Sequence, residues 1–156
     1  MSFGKRCGYG SEEPGLKRGP MDEYAYFDHD ADIGIIGRGA TLETAFESAA
    51  MAMFAIMADV LPGPLEAEVS FDFEEEDAEF ALVHWLNGLL AYAQSRSIIL
   101  GRFELRREGV HWHAKAWGSP WNKEMIRGVE VKGATLTMLS VKEKAGVWEA
   151  RCIVDV

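Results

Sequence analysis

From residue 41 onward the apolar positions recur at a spacing of three and four: Leu42, Ala45, Phe46, Ala49, Ala50, Met53, Phe54 and Met57. That is one face of an amphipathic helix, with Thr41 ahead of it as a suitable N-cap and Pro62 and Pro64 marking the exit loop. A second stripe, Leu82, Val83, Leu86, Leu89, Leu90 and Ala93, follows the acidic cluster Glu74-Glu75-Glu76-Asp77. Negative charge there favours the positive end of a helix dipole. Elsewhere the pattern alternates. Tyr24 to Phe27 predicts a short aromatic strand, Ile33 to Ile36 a second extended piece broken by Gly37-Arg38-Gly39, and Glu66 to Phe73 a strand with Val69, Phe71 and Phe73 on one face. Past Ile98 the chain reads as strands. Ile98 to Arg107 turns at Glu108-Gly109 into Val110 to Trp117, and a polar segment covers Ser119 to Arg127. Then come Val129 to Val131, Ala134 to Lys142 and Val147 to Val154, the last two joined by Lys144-Ala145-Gly146.

Strands, helix, strand, helix and then several strands do not make regular βαβ alternation. The pattern predicts an α+β fold, a largely antiparallel sheet with two packed helices, in a single domain over residues 21–156. Residues 1–20, rich in Gly, Pro and charge and without periodicity, read as a disordered N-terminal extension. Apolar content of 48% is enough for a core, and no apolar run suggests a membrane span. With no apolar signal region at the start and only Cys7 and Cys152, a reducing cytoplasm is the expected setting.

The formal net charge is −9, and the first 20 residues contribute +2, which leaves the body near −11. Such a body repels phosphate, so extensive direct contact with nucleic acid is disfavoured and a basic protein partner or a cation fits better.

That charge directs attention to Asp28-His29-Asp30-Ala31-Asp32-Ile33-Gly34. If extended, the run projects Asp28, Asp30 and Asp32 to one side, and three like charges require solvent, a basic side chain or a hard cation. It is not an EF-hand loop, because position 6 is Ile33 and position 12 is Gly39. At the far end, Arg151-Cys152-Ile153-Val154 runs into Asp155 and Val156, placing a side-chain carboxylate beside the terminal one. Hard cations take six to eight oxygens, so Asp32 with Asp155 and the carboxylate of Val156 would make the core of a site. Taken singly, each piece reads as solvated chain. Lys132, within Val129-Glu130-Val131-Lys132-Gly133-Ala134-Thr135, is either a cation held near such carboxylates or a surface partner of Glu130. His111-Trp112-His113 sets two imidazoles on one strand face, a zinc pair in principle, but no Cys or further His lies at ligand spacing. No dinucleotide fingerprint, Walker loop or Gly-x-Ser-x-Gly elbow is present, and nothing resembles a self-sufficient catalytic apparatus.

Four segments together resemble the archease family. Tyr26-Phe27-Asp28-His29-Asp30-Ala31-Asp32-Ile33-Gly34 is similar to its [D/E]-H-T-A-D-[I/V] signature. Thr41-Leu42-Glu43-Thr44-Ala45-Phe46 resembles its first helix start, Glu130-Val131-Lys132-Gly133-Ala134-Thr135 its E-V-K-A-x-T motif, and Ile153-Val154-Asp155-Val156 its apolar-Asp-apolar ending. The resemblance covers nearly all of residues 22–156. It implies a non-catalytic protein that assists RtcB-type RNA ligases of tRNA splicing and RNA repair, promoting guanylylation of the ligase and its multiple turnover. Metal ligation carries over to Asp32, Asp155 and Val156, with a Ca²⁺-like cation (Mg²⁺ or Mn²⁺ as alternatives), and activation of the partner to Lys132. A general chaperone or adaptor without a dedicated enzyme is the alternative. Asp30 stands where the family has Thr, Gly133 follows the motif lysine in place of Ala, and a Lys-His pair is not evident around Asn122-Lys123-Glu124.

Overall fold

The computed structural model describes residues 17–18, 23–58, 64–121 and 128–156, with side chains from 23 onward. Both helices form where the spacing predicts them. In α1 (Leu42–Ala55), Thr41 is the N-cap, and its side chain and that of Thr44 close a reciprocal capping box. In α2 (Ala78–Arg96), Asp77 caps by accepting from the Glu79 and Phe80 N–H groups at 2.8 and 3.0 Å. The apolar stripe of α2 is centred on Trp85, which is fully buried, while Val83 lies half-buried at its margin.

Two antiparallel sheets enclose this pair. A short β1 (Lys17–Arg18) pairs with β2 (Tyr24–His29), which pairs with β3 (Asp32–Gly39); β3 pairs with the final strand β9 (Val147–Asp155). The other edge of β9 is shared by β7 (Gly133–Ala134) and β8 (Ser140–Lys144). The second sheet has the order β4 (Ala67–Glu74), β6 (His111–Pro120), β5 (Ile98–Glu108). The predicted α+β class holds, with two sheets rather than one.

Three details correct the sequence reading. First, the acidic run is not one extended strand. His29 of β2 pairs with Asp32 of β3, and Asp30-Ala31 forms a two-residue hairpin turn with Asp30 at φ 52°. Asp tolerates a positive φ better than most residues, and the turn separates the three charges. Asp28 pairs with Ile33 on the helix-facing side, Asp30 is 93% exposed at the tip, and Asp32 lies on the opposite face. Second, Ala134 to Lys142 is two strands. Gly133 pairs with Asp155 and Ser140 with Arg151, so the chain carries three residues more than β9 between those points. The surplus becomes a turn over 135–139. The Thr135 N–H and hydroxyl both donate to the Ile153 carbonyl, and the Ile153 N–H donates to the Thr137 carbonyl. Third, Val129 to Val131 is not a strand, although Val131 is fully buried. Of the extension over 1–20, the described part, Lys17–Arg18, is paired. The rest of it, Pro62, and the segment around Asn122-Lys123-Glu124 lie outside the described residues.

α1 lies directly on β3. A side chain at Gly37 would begin 2.2 Å from the Ala45 carbonyl oxygen and the Ala49 nitrogen, so only glycine admits this helix-on-strand approach. α1 and α2 are joined by the Trp85 Nε1–H donating to the Phe46 carbonyl at 2.8 Å, and the Phe46 ring stacks on Trp112 of β6 at 5.6 Å. Helices and both sheets thus share one core, and a smaller cluster of Ala25, Phe27, Ile36 and Ile153 covers the far face of the first sheet.

Candidate functional site

Strand pairing brings the two ends of the motif set together. Ile33 pairs with Val154, so the antiparallel register places Asp32 opposite Asp155 one step further along, and His29 flanks Asp32 from β2. Alternation puts the His29, Asp32 and Asp155 side chains on the same face of the sheet, the face away from α1. The backbone N–H of Val156 donates to Asp32 Oδ1 at 3.3 Å, a contact across 124 positions of sequence. Asp32 and Val156 are half-buried, and Asp155 is exposed.

Lys132 adjoins the same end. Its backbone N–H donates to the Asp155 carbonyl at 2.7 Å, and Gly133 pairs with Asp155. The Lys132 side chain is exposed, and no ion pair ties its ammonium to Glu130, Asp32 or Asp155 among the described residues. α2 holds this segment. Asn87 exchanges hydrogen bonds with the backbone of Ala134, accepting from its N–H at 2.8 Å and donating to its carbonyl at 3.4 Å. Gln94 Nε2 donates to the Val131 carbonyl at 3.3 Å. Buried Val131 and these two amides therefore fix the backbone on both sides of Lys132. Sequence reasoning missed Asn87 and Gln94. Their only signal was that two polar residues, seven apart, interrupt the margin of an apolar stripe.

This end is rich in oxygen donors, the side-chain carboxylates of Asp32 and Asp155, with the His29 imidazole beside Asp32. Among the described residues, no three His, Cys, Asp or Glu side chains stand together as a metal centre. Asp32 and Asp155 supply only two, and a main-chain oxygen of Val156 would be the third. Such a set suits a hard cation rather than a thiophilic one. Asp30 is removed from it by the turn, so its charge sits at the hairpin tip and not in the row. Cys152 is fully buried on β9, its thiol pushed up to about 12 by burial, and takes no part. No helix among the described residues is long and apolar enough to cross a membrane.

Comparison with known proteins places this chain in a family. The Archease protein family matches residues 24–156. The protein archease of Sulfolobus acidocaldarius is 34% identical over 139 residues, which cover 87% of this chain and 100% of that protein. That of Methanosarcina mazei is 31% identical over 140 residues, covering 86% of this chain and 96% of the relative. Among solved structures, the solution structure of Methanobacterium thermoautotrophicum protein 1598 superposes with a TM-score of 0.75 at 31% identity, over 86% of this chain and 99% of the other. The crystal structure of a Thermotoga maritima archease, described as a possible chaperone, shares the fold at a TM-score of 0.59 and 19% identity, over 90% of this chain and 98% of the other. From its residue 24 to its final valine, this chain belongs to the archease family.

Proposed function

We propose that this protein is a non-catalytic, metal-binding activator of an RtcB-type RNA ligase, promoting guanylylation of the ligase and its repeated turnover in tRNA splicing and RNA repair. The observation that carries this reading is the Asp32–Val156 contact, which joins the family's first and last motifs at one end of one sheet. The two side-chain carboxylates and the Val156 carboxylate are the residues that would hold a Ca²⁺-like ion. A bound hard cation would supply positive charge to orient or polarise phosphate oxygens. The Val156 N–H orients Asp32, and Asn87 and Gln94 keep the Lys132 backbone in place. The exposed Lys132 ammonium is then available to a phosphate or carboxylate on the partner. Net charge of −9 favours approach to a basic cleft that holds RNA and guanylate.

The test is a guanylylation and multiple-turnover assay of a cognate ligase with added wild-type protein or its variants. Asp32→Ala and Asp155→Ala should fold, judged by circular dichroism, yet leave a spent ligase inactive. Lys132→Ala should do the same, and a C-terminal extension should impair activity. Full activation by both aspartate variants would overturn the metal-tip reading. Suppression of aggregation of unrelated clients, independent of Asp32 and Lys132, would replace it with a general chaperone.

A further inference from the structure

The exposed face of the three-stranded sheet carries His111 and His113, and here the tertiary structure supplies what their local sequence lacks. Successive side chains of a strand alternate, so the two imidazoles rise from one face about 7 Å apart at their Cα atoms. In each ring Nδ1 faces a carboxylate of β4: His111 Nδ1 lies 3.0 Å from Glu74 Oε1, and His113 Nδ1 lies 2.9 Å from Asp72 Oδ1. A carboxylate beside Nδ1, with Nε2 left to face the metal, is the arrangement that orients metal-ligating histidines. His113 also leans out of its row. Its pairing partner on β5 is Arg106, while Glu108 pairs with His111, yet His113 Nε2 lies 3.9 Å from Glu108 Oε1. His113 Nε2 is thus turned towards the row that holds His111 and Glu108.

We infer that His111 Nε2, His113 Nε2 and the Glu108 carboxylate form a binding site for Zn²⁺ or a similar borderline divalent ion. Glu74 and Asp72 act as the groups that orient the two imidazoles. Two imidazoles and one carboxylate suit zinc, copper or nickel and are a poor set for Ca²⁺, which distinguishes this site from the carboxylate-rich end of the other sheet. The three side chains are not yet gathered at bonding distance. Zinc bonds to nitrogen and oxygen are about 2.0–2.2 Å, so side-chain rotation must close the set. The rotation is unobstructed, because the His111, His113 and Glu108 side chains are 57%, 39% and 77% exposed. The remaining position is left to water, which marks an open site rather than a closed structural one. His84 is a separate case, with its Nε2 already 3.3 Å from Glu75 Oε1.

The experiment is a zinc titration of the full chain at pH 7.5 by calorimetry and by competition with a chromogenic chelator, in a Cys7→Ser background. One equivalent of Zn²⁺ should bind, and excess Ca²⁺ should not displace it. His111→Gln or His113→Gln should abolish that equivalent, while Glu74→Gln or Asp72→Asn should weaken it about tenfold or more. Asp32→Ala should leave it unchanged. All the substituted groups of this site are on the surface, so these variants fold. Absence of Zn²⁺ binding in the wild type, or an undiminished equivalent in the double variant of His111 and His113, overturns the assignment and leaves three ordinary surface ion pairs.

Discussion

Gly37→Ala tests whether the close seat of α1 on β3 is what builds the site end of the first sheet. An alanine Cβ would start 2.2 Å from both the Ala45 carbonyl oxygen and the Ala49 nitrogen, and 2.7 Å from the Ala49 Cα. Ordinary contact begins at 3.4 Å, so the helix must withdraw by about 1.2 Å. All three obstructing atoms are main chain, and no rotamer change relieves them. Withdrawal loosens Ala45, Phe46, Ala49 and Met53, each fully buried, and with them the hydrogen bond from Trp85 to the Phe46 carbonyl. Overpacking of a tight core costs roughly 1–3 kcal/mol, and partial loss of these contacts places Gly37→Ala at about 3 kcal/mol. For a chain of this size that corresponds to a fall in Tm of about 6–12 °C. Urea and thermal unfolding followed by circular dichroism measure it directly, with the same m-value expected for both proteins. Gly109→Ala isolates the other way a glycine can be required: a Cβ there meets nothing within 4 Å, but its φ of 64° strains any L side chain, at roughly 1–2 kcal/mol, below the cost expected at Gly37. A change of less than about 0.5 kcal/mol for Gly37→Ala, the usual range of a surface substitution, would refute the steric reasoning.

Two further outcomes follow from a half-buried carboxyl and a buried thiol. Glu47 on α1 accepts the Leu105 N–H at 2.8 Å, and burial is the main cause that raises its carboxyl above the ordinary 4.5, opposed by that hydrogen bond. The folded state therefore keeps this proton to higher pH than the unfolded chain, and stability falls as pH rises through the window above 4.5. Glu47→Gln, whose amide oxygen accepts the same N–H, should exceed the wild type in urea midpoint at pH 7 and lose that advantage at pH 4; a larger advantage at pH 4 would contradict the sign. Cys152, with its thiol raised to about 12 by burial, should resist thiol reagents at pH 8 in a Cys7→Ser protein and react only once urea unfolds it. Prompt stoichiometric labelling of the native protein would count against a sealed β9.

Local pattern was enough for both helices, most strand positions and the α+β class, because burial of one face imposes a period of 3.6 or 2 on apolar residues wherever they fold. Thr41 and the acidic entry to α2 were equally legible, since caps act within one turn. Turn geometry was less so. Nothing in Asp28-His29-Asp30-Ala31-Asp32 distinguishes an extended run from a hairpin until His29 is paired with Asp32, and the split of Ala134 to Lys142 follows from Thr135 and Thr137 bonding to Ile153 on another strand. The same holds for both sites. By itself the sequence determined that Asp32, Asp155, Val156, Lys132, His111 and His113 were the residues to watch. Only the tertiary structure decided that Val156 meets Asp32, that Asn87 and Gln94 hold the backbone around Lys132, and that Glu74, Asp72 and Glu108 flank the histidine pair. The reason is physical: ligand sets and hydrogen-bond partners are matters of distance, and antiparallel pairing makes neighbours of residues more than a hundred positions apart, which no local period encodes.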